Sequence, residues 1–162
     1  MDADRILIAG GGIGGLAAAL ALAQKGVPSL VLERASRFGE IGAGIQLGPN
    51  AFHCFDRLGV GLAARGMAVY VDSLRLMDAM ADGEICHIDL GEKFRTRFGN
   101  PYAVVHRGDL HGVLLKGCRE HALIELRSGA EVKGYDQDDK AVAAKLADGE
   151  LVHGRALIGA DG

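Results

Sequence analysis

Apolar residues in this chain fall into short unbroken runs separated by glycine-rich or charged turns. The runs over residues 5–9 and 29–33 predict strands that are buried on both faces, as in a parallel sheet. Residues 13–24, rich in alanine and leucine, predict a helix between them that ends at Gly26. Such a strand–helix–strand unit crosses over right-handed, so both strands should lie side by side with their carboxyl ends at one edge of the sheet.

The remaining pattern adds further strands and two helices. Residues 38–49 predict a glycine-rich loop, and Pro49 suits the first turn of a helix through about Leu58. The other predicted elements are a β-hairpin of strands over 69–77 and 84–90 around an Asp82-Gly83 turn, a strand over 102–106, a helix beginning within 107–110, a strand over 123–126, a meander over 132–152 and a strand over 155–160. Together these elements predict an α/β fold, a Rossmann-like domain with a parallel central sheet and with β-hairpin and β-meander insertions.

Length, charge and cysteine usage narrow the class of protein. At 162 residues the chain is long enough for about one domain with a sizeable core. The chain has a net charge of −3 and 24% charged residues, so it lacks the excess of basic residues that nucleic-acid-binding proteins carry. Cys54, Cys86 and Cys118 are odd in number, widely spaced and without a CxxC pair. They argue against a disulfide framework or a zinc site and predict a cytoplasmic protein.

The sequence also argues against a membrane span, a metal site and a serine nucleophile. The uncharged residues 6–23 follow an acidic leading segment, contain five glycines and are marginally long for a membrane span, so we expect no targeting segment and no membrane partner. His106 and His111 are five residues apart across a predicted strand–helix corner, and none of the six histidines shows metal-ligand spacing. No Gly-x-Ser-x-Gly elbow is present. We therefore predict no metal and assign no catalytic residue.

The glycine cluster over residues 10–15 carries the main chemical signal. It follows a predicted strand and opens a predicted helix, which is the setting of a dinucleotide-binding turn. In such a turn Gly10 makes the tight bend, Gly12 lets the backbone approach a pyrophosphate, and Gly15 lets helix and strand pack closely. The pyrophosphate would lie at the positive end of the helix, and Glu33 would accept hydrogen bonds from ribose hydroxyls.

Three motifs, in this order along the chain, resemble those of the FAD-dependent aromatic hydroxylases, the single-component flavoprotein monooxygenases. They are residues 10–15 with Glu33-Arg34, the His-Arg-Gly-Asp-Leu corner over 106–110, and Gly-Ala-Asp-Gly over 159–162. The loop over 39–50 is also similar. Within the family, residues 38–60 and 97–111 are most similar to 3-hydroxybenzoate 6-hydroxylases, and salicylate or other hydroxybenzoate hydroxylases stay open as alternatives.

This resemblance implies FAD as cofactor, NAD(P)H as reductant, and hydroxylation of a phenolic or hydroxybenzoate ring with dioxygen. The FAD-binding residues that it implies are Gly10, Gly12, Ile13, Gly14, Gly15, Glu33, Arg34, Gly44, Ile45, Gln46, Arg107 and Asp161. Among them Gly10, Gly12 and Gly15 would hold the pyrophosphate, Glu33 would bind the adenosine ribose, and Arg34 would lie near the adenine or its ribose. Residues 44–46 would run beside the flavin, Arg107 would bind the phosphate–ribityl region, and Asp161 would serve FAD and NAD(P)H handling.

Two features of the family are missing from the sequence. The second Gly-Asp motif, which contacts the ribityl chain, and the aromatic-substrate pocket both lie downstream of the Asp-Gly motif in the family. An apolar strand that finishes at Asp161-Gly162 also leaves a central sheet element at a terminus. We therefore expect residues 1–162 to be the N-terminal FAD-binding portion of a longer enzyme, and to be inactive alone. A homodimer stays open for the full-length protein.

Three other classes of protein would also contain this glycine turn. A nicotinamide-dependent dehydrogenase predicts continued strand–helix alternation after Glu33, whereas this chain has a loop, a hairpin and a meander. A non-catalytic flavin-binding module is compatible with the missing downstream motifs. A flavin halogenase or reductase on the same scaffold is the third. The colour of the purified protein separates the dehydrogenase from the others, because bound flavin is yellow.

Overall fold

The computed structural model describes residues 4–39 and 42–162. Its strands are β1 (Ile6–Ala9), β2 (Ser29–Glu33), β3 (Gly44–Leu47), β4 (Val69–Tyr70), β5 (Ser73–Met77), β6 (Glu84–Asp89), β7 (Ala103–His106), β8 (Ile124–Ser128), β9 (Val132–Gln137), β10 (Val142–Leu146), β11 (Leu151–Gly154) and β12 (Ala156–Gly159). Its helices are α1 (Ile13–Ala23), α2 (Pro49–Arg57), α3 (Gly61–Met67), α4 (Glu92–Phe98) and α5 (Arg107–Arg119). The chain divides into two compact units. The first comprises the described part of residues 1–41 together with residues 111–162, and the second comprises residues 42–110.

A parallel sheet in the order β12-β1-β2-β8 forms the centre of the first unit. β1 pairs with both of its neighbours, so that Ala9 lies opposite Leu32 on one side and Gly159 on the other. β1 and β2 are almost wholly buried, because both faces of the sheet are covered. The predicted α/β fold with a parallel central sheet is confirmed.

Helix α1 and an antiparallel meander cover the two faces of this sheet. α1 packs on β1, β2 and β8, and Leu16, Ala19 and Leu20 are buried along it. The predicted meander is the antiparallel sheet β11-β10-β9. The core between it and the parallel sheet consists of Leu7, Leu30, Leu32, Ala130, Val142, Ala144, Leu146 and Val152. Burial of each large apolar side chain contributes about 1.5–3 kcal/mol, so this layer stabilises the packing of the meander on the parallel sheet.

The predicted glycine-rich loop over 38–49 is wrong over part of its length, because Gly44–Leu47 is the strand β3. β3 pairs antiparallel with β7, with Gly44 opposite His106 and Leu47 opposite Ala103. The partner strand comes much later in the chain, so local glycine content hid the pairing. Glu40 and Ile41, which belong to the predicted loop, lie outside the described residues.

The predicted strand over 69–77 is also wrong as a single element. β4 pairs with β7, whereas β5 pairs with β6 to form the predicted hairpin. The change of partner occurs where the Val71 N–H donates to the Tyr102 carbonyl and the Leu90 N–H donates to the Asp72 carbonyl. Apolar alternation shows that a segment is extended but does not show which strand it pairs with.

Helices α3 and α4 are absent from the sequence-based prediction. Each spans seven residues, which is too short for a helical period to stand out. α4 buries none of its residues and ends at Gly99, whose φ of +71° is left-handed. Arg65 of α3 donates to Asp56 of α2 and to the buried Asn100, and its hydrogen bond to Asp56 holds the pKa of that carboxyl below its usual value.

Candidate functional site

In the first unit, the turn between β1 and α1 consists of Gly10, Gly11 and Gly12. β1 ends at Ala9, and the Gly10 N–H donates to the Leu32 carbonyl at 2.8 Å. Gly10 has a φ of +108°, a conformation that disfavours any residue with a side chain. On the other side of β1, the Ala160 N–H donates to the Ala9 carbonyl at 2.7 Å. The turn therefore lies at the carboxyl edge of the parallel sheet, where open α/β sheets bind ligands.

Three glycines in this turn and in the first turn of α1 make room for neighbouring groups. A Cβ on Gly15 would collide with the Gly10 carbonyl oxygen, and a Cβ on Gly10 would collide with the Ala160 carbonyl. These contacts bring the first turn of α1 directly onto the end of β1. A Cβ on Gly11 would collide with the Phe38 ring, a packing role that sequence analysis missed.

The N-terminus of α1 carries no side-chain cap and no acidic residue in its first turn. Its N-cap is Gly12, and a Cβ on Gly14 would meet open space among the described residues. The first N–H groups of a helix lack partners within the helix and carry a partial positive charge. This end of α1 is therefore suited to an anionic group such as a phosphate.

The Glu33 carboxylate is held inside the turn by two backbone groups. Its Oε2 accepts from the Gly11 N–H at 2.7 Å, and its Oε1 accepts from the Ala35 N–H at 2.8 Å. The side chain is half-buried, and each oxygen keeps a further lone pair for another donor. Glu33 thus joins the end of β2 to the glycine turn and keeps acceptor capacity for a hydroxyl.

His111 of α5 contacts the turn, and sequence analysis did not assign it to the site. It is 2% exposed, and its Nε2 lies 2.8 Å from the Gly11 carbonyl oxygen. The available signal was its place among the apolar positions of the predicted helix, where a polar side chain needs a partner.

Asp161 and Arg34 occupy different places around the turn. Asp161 is exposed just after β12, and its Cα would lie 2.9 Å from a Cβ on Gly10. The structure therefore brings the Asp-Gly motif beside the glycine turn. Arg34 follows Glu33 and is exposed.

The other predicted FAD ligands lie together in the second unit. Gly44, Ile45 and Gln46 belong to β3, and Arg107 is the first residue of α5. The Arg107 N–H donates to the Ala43 carbonyl at 3.1 Å, which places Arg107 beside the start of β3. The Tyr102 hydroxyl donates to Gln46 Oε1 at 2.5 Å and so orients the Gln46 amide.

Other site chemistries are sparse in the described part of the chain. Residues 4–39 and 42–162 contain no group of three His, Cys, Asp or Glu side chains arranged to hold a metal ion. In the same residues no helix has the length and apolar character needed to cross a membrane. Burial raises the pKa of the Cys118 thiol to about 12, so this cysteine stays protonated and is not a nucleophile.

A family model described as an FAD binding domain matches residues 4–162. This chain belongs to the FAD binding domain family. The chain is 54% identical over 159 residues to 3-hydroxybenzoate 6-hydroxylase 1 of Aquipseudomonas alcaligenes, a match that covers 98% of this chain and 40% of the relative. It is 46% identical over 158 residues to 3-hydroxybenzoate 6-hydroxylase of Klebsiella oxytoca, again covering 98% and 40%. The predicted resemblance to 3-hydroxybenzoate 6-hydroxylases is confirmed.

A solved structure agrees with this family assignment. A variant of Klebsiella pneumoniae HpxO complexed with FAD superposes with a TM-score of 0.83 at 27% identity, covering 98% of this chain and 39% of that chain. The chain thus spans about 40% of the length of the curated relatives it matches. FAD is the cofactor that the family binds, as the sequence predicted.

Proposed function

We propose that this chain is the FAD-binding part of an aromatic hydroxylase that uses NAD(P)H and dioxygen to hydroxylate a hydroxybenzoate. The observation that carries the proposal is the 54% identity to a 3-hydroxybenzoate 6-hydroxylase over 98% of the chain. 3-Hydroxybenzoate is accordingly the first substrate to test. When bound, FAD supplies the redox chemistry that activates dioxygen, and the protein supplies orientation and electrostatics.

The residues of the first unit fit the FAD pyrophosphate and adenosine. The uncapped start of α1, formed by residues 12–15, offers N–H groups to the phosphates, and Gly10 makes the bend that places them there. Glu33 keeps acceptor capacity for a ribose hydroxyl, and the neighbouring Arg34 is proposed to lie near the adenine or its ribose. Asp161, beside the turn, is proposed to serve FAD and NAD(P)H handling.

In the second unit we propose that residues 44–46 contact the flavin and that Arg107 binds the phosphate–ribityl region. Arg107 lies at a strand–helix corner, and a guanidinium is well suited to two parallel hydrogen bonds with a phosphate. No residue is assigned to the hydroxylation step itself. We further propose that residues 1–162 form one FAD-binding portion. We also propose that the protein is cytoplasmic and does not bind nucleic acid, and a homodimer of the full-length protein stays open.

The proposal is tested on the full chain by its bound cofactor and its turnover. We expect a yellow protein with a flavin spectrum, and NAD(P)H consumption that is stimulated by 3-hydroxybenzoate when the polypeptide includes a substrate domain. Reading the coding sequence past the Gly162 codon shows whether such a domain follows. Flavin binding without stimulated turnover in the polypeptide that includes such a domain would favour a non-catalytic flavin-binding module. A colourless protein that retains NAD would instead identify a dehydrogenase.

Glu33→Gln should weaken FAD binding by roughly 1.5–3 kcal/mol, the range for a hydrogen bond to a charged group. The amide keeps one oxygen, so one of the two backbone donors at Gly11 and Ala35 would face an NH2 group instead of an acceptor. Titration of the apoprotein with FAD, followed by flavin fluorescence, measures the change. Glu120→Gln removes the same charge at an exposed position and serves as the matched control. An effect of Glu33→Gln no larger than that of the control would assign Glu33 to the surface.

Arg107→Ala should weaken FAD binding by about 2 kcal/mol through loss of a charged hydrogen bond, with a smaller effect on thermal stability. Arg107→Lys should recover only part of the affinity, because an ammonium cannot form the paired contact of a guanidinium. Arg119→Ala, at the exposed far end of the same helix, controls for lost charge. Normal flavin occupancy in Arg107→Ala together with a large fall in Tm would reverse the assignment.

A further inference from the structure

His111 reaches the dinucleotide turn from a helix one hundred residues further along the chain. The side chain is 2% exposed, and its Nε2 is 2.8 Å from the Gly11 carbonyl oxygen. A carbonyl oxygen can only accept, so Nε2 must carry the hydrogen of this bond. The imidazole is therefore held as a donor to the backbone of the turn, in a place that water does not reach.

The Gly11 backbone is held from both sides by side chains. Its N–H donates to Glu33 Oε2 at 2.7 Å, while its carbonyl accepts from His111. The Gly11 carbonyl shares one peptide plane with the Gly12 N–H, and no cis peptide bond occurs among the described residues. In a trans peptide the C=O and the N–H point in opposite directions. The Gly12 N–H therefore points away from His111.

The hydrogen bonds at Gly11 matter because a peptide between two glycines rotates easily. Neither Gly11 nor Gly12 has a Cβ to restrict its φ and ψ angles. A flipped Gly11–Gly12 peptide would turn a carbonyl oxygen toward the start of α1, where an approaching phosphate would be repelled. A buried donor on the carbonyl selects the orientation that favours an anion, since flipping would leave that carbonyl and the imidazole without each other.

We propose that His111 is a positioning residue for the FAD pyrophosphate: its Nε2–H bond to the Gly11 carbonyl fixes the Gly11–Gly12 peptide with the Gly12 N–H directed to the phosphate side. The proposal rests on the proposed FAD site in the first unit. His111 does not touch the cofactor itself, and it acts through the backbone of the turn.

Three variants of the full chain test this role. His111→Leu keeps an apolar side chain of similar volume without a donor, and His111→Gln keeps an amide N–H at a reach similar to that of Nε2. Cys118→Ala is the matched control, because Cys118 is buried on the same helix and its Sγ contacts the Leu16 carbonyl of α1 at 3.4 Å, away from the turn. Affinities for FAD and for ADP, which carries the pyrophosphate without the flavin, are measured together with thermal unfolding.

We expect His111→Leu to weaken FAD and ADP binding about tenfold or more and His111→Gln to stay within about threefold of the unchanged protein. Cys118→Ala should lower Tm without changing either affinity. Unchanged affinity in His111→Leu, or equal losses in the Leu and Gln variants, would overturn the proposal. Failure of the unchanged protein to bind FAD would contradict the proposed function itself, and with it the positioning role.

A spectroscopic test does not depend on any variant folding. Histidine labelled with ¹⁵N reports by NMR which ring nitrogen carries the proton. We expect the His111 signal to show a protonated Nε2 with and without FAD. A neutral ring protonated at Nδ1 alone would make the bond to Gly11 impossible and would refute the proposal.

Discussion

Gly12→Val is expected to abolish FAD retention while leaving the fold in place. Gly12 has φ −74° and ψ −174°, an extended conformation that valine adopts readily, so the backbone does not require glycine here. The residue is the N-cap of α1, and a branched side chain there would occupy the space in which we propose the pyrophosphate binds. We expect affinity to fall more than a hundredfold, which is about 2.7 kcal/mol.

The measurement is an FAD titration of the apoprotein alongside a thermal melt. Gly12→Ala is the graded control and should lose less affinity than the valine variant, because its side chain is smaller. Full FAD affinity in Gly12→Val would overturn the assignment of the turn to the cofactor. Loss of the cooperative unfolding transition in Gly12→Val would instead show that Gly12 is needed for the fold.

Gly15→Ala is expected to damage the fold itself. A Cβ at this position would collide with the Gly10 carbonyl oxygen, which is backbone and cannot swing aside as a side chain would. Helix α1 would have to move off the end of β1, and overpacking of this kind costs about 3 kcal/mol, or a fall of ~6–12 °C in Tm for a chain of this size. FAD affinity should fall as well, because the displaced helix carries its N-terminus with it.

Gly14→Ala is the matched control for stability, since it lies one residue away in the same helical turn. Among the described residues a Cβ on Gly14 meets open space, and alanine favours a helix over glycine by about 1 kcal/mol. The Tm of Gly14→Ala should therefore equal or exceed that of the unchanged protein. Equal melts for the two alanine variants would mean that α1 and β1 are not packed as described.

The first strand–helix–strand unit could be predicted from the sequence because its signals are local. The predicted strand over 29–33 matches β2, and the predicted helix over 13–24 differs from α1 by one residue at its end. Short apolar runs and a helix-ending glycine act on neighbouring residues, so reading them needs no knowledge of the rest of the fold.

Elements whose partners are remote could not be predicted in the same way. β3 is extended because it pairs with β7, and β4 separates from β5 because it pairs with β7 and β5 pairs with β6. The pairing energy of β3 and β4 comes from β7, which is distant in sequence, so their own residues gave no local sign of these pairings.

The candidate site likewise has features that follow from local sequence and features that depend on remote contacts. By itself the sequence determined the glycine turn, the acid at Glu33 and the family, because these depend on residue type and spacing. Only the tertiary structure decided that Gly11 makes room for Phe38, that Glu33 holds the Gly11 N–H, and that His111 holds the Gly11 carbonyl. Hydrogen bonds to a buried backbone group require a donor or acceptor within about 3 Å, and only the folded sheet and helices bring such distant residues that close.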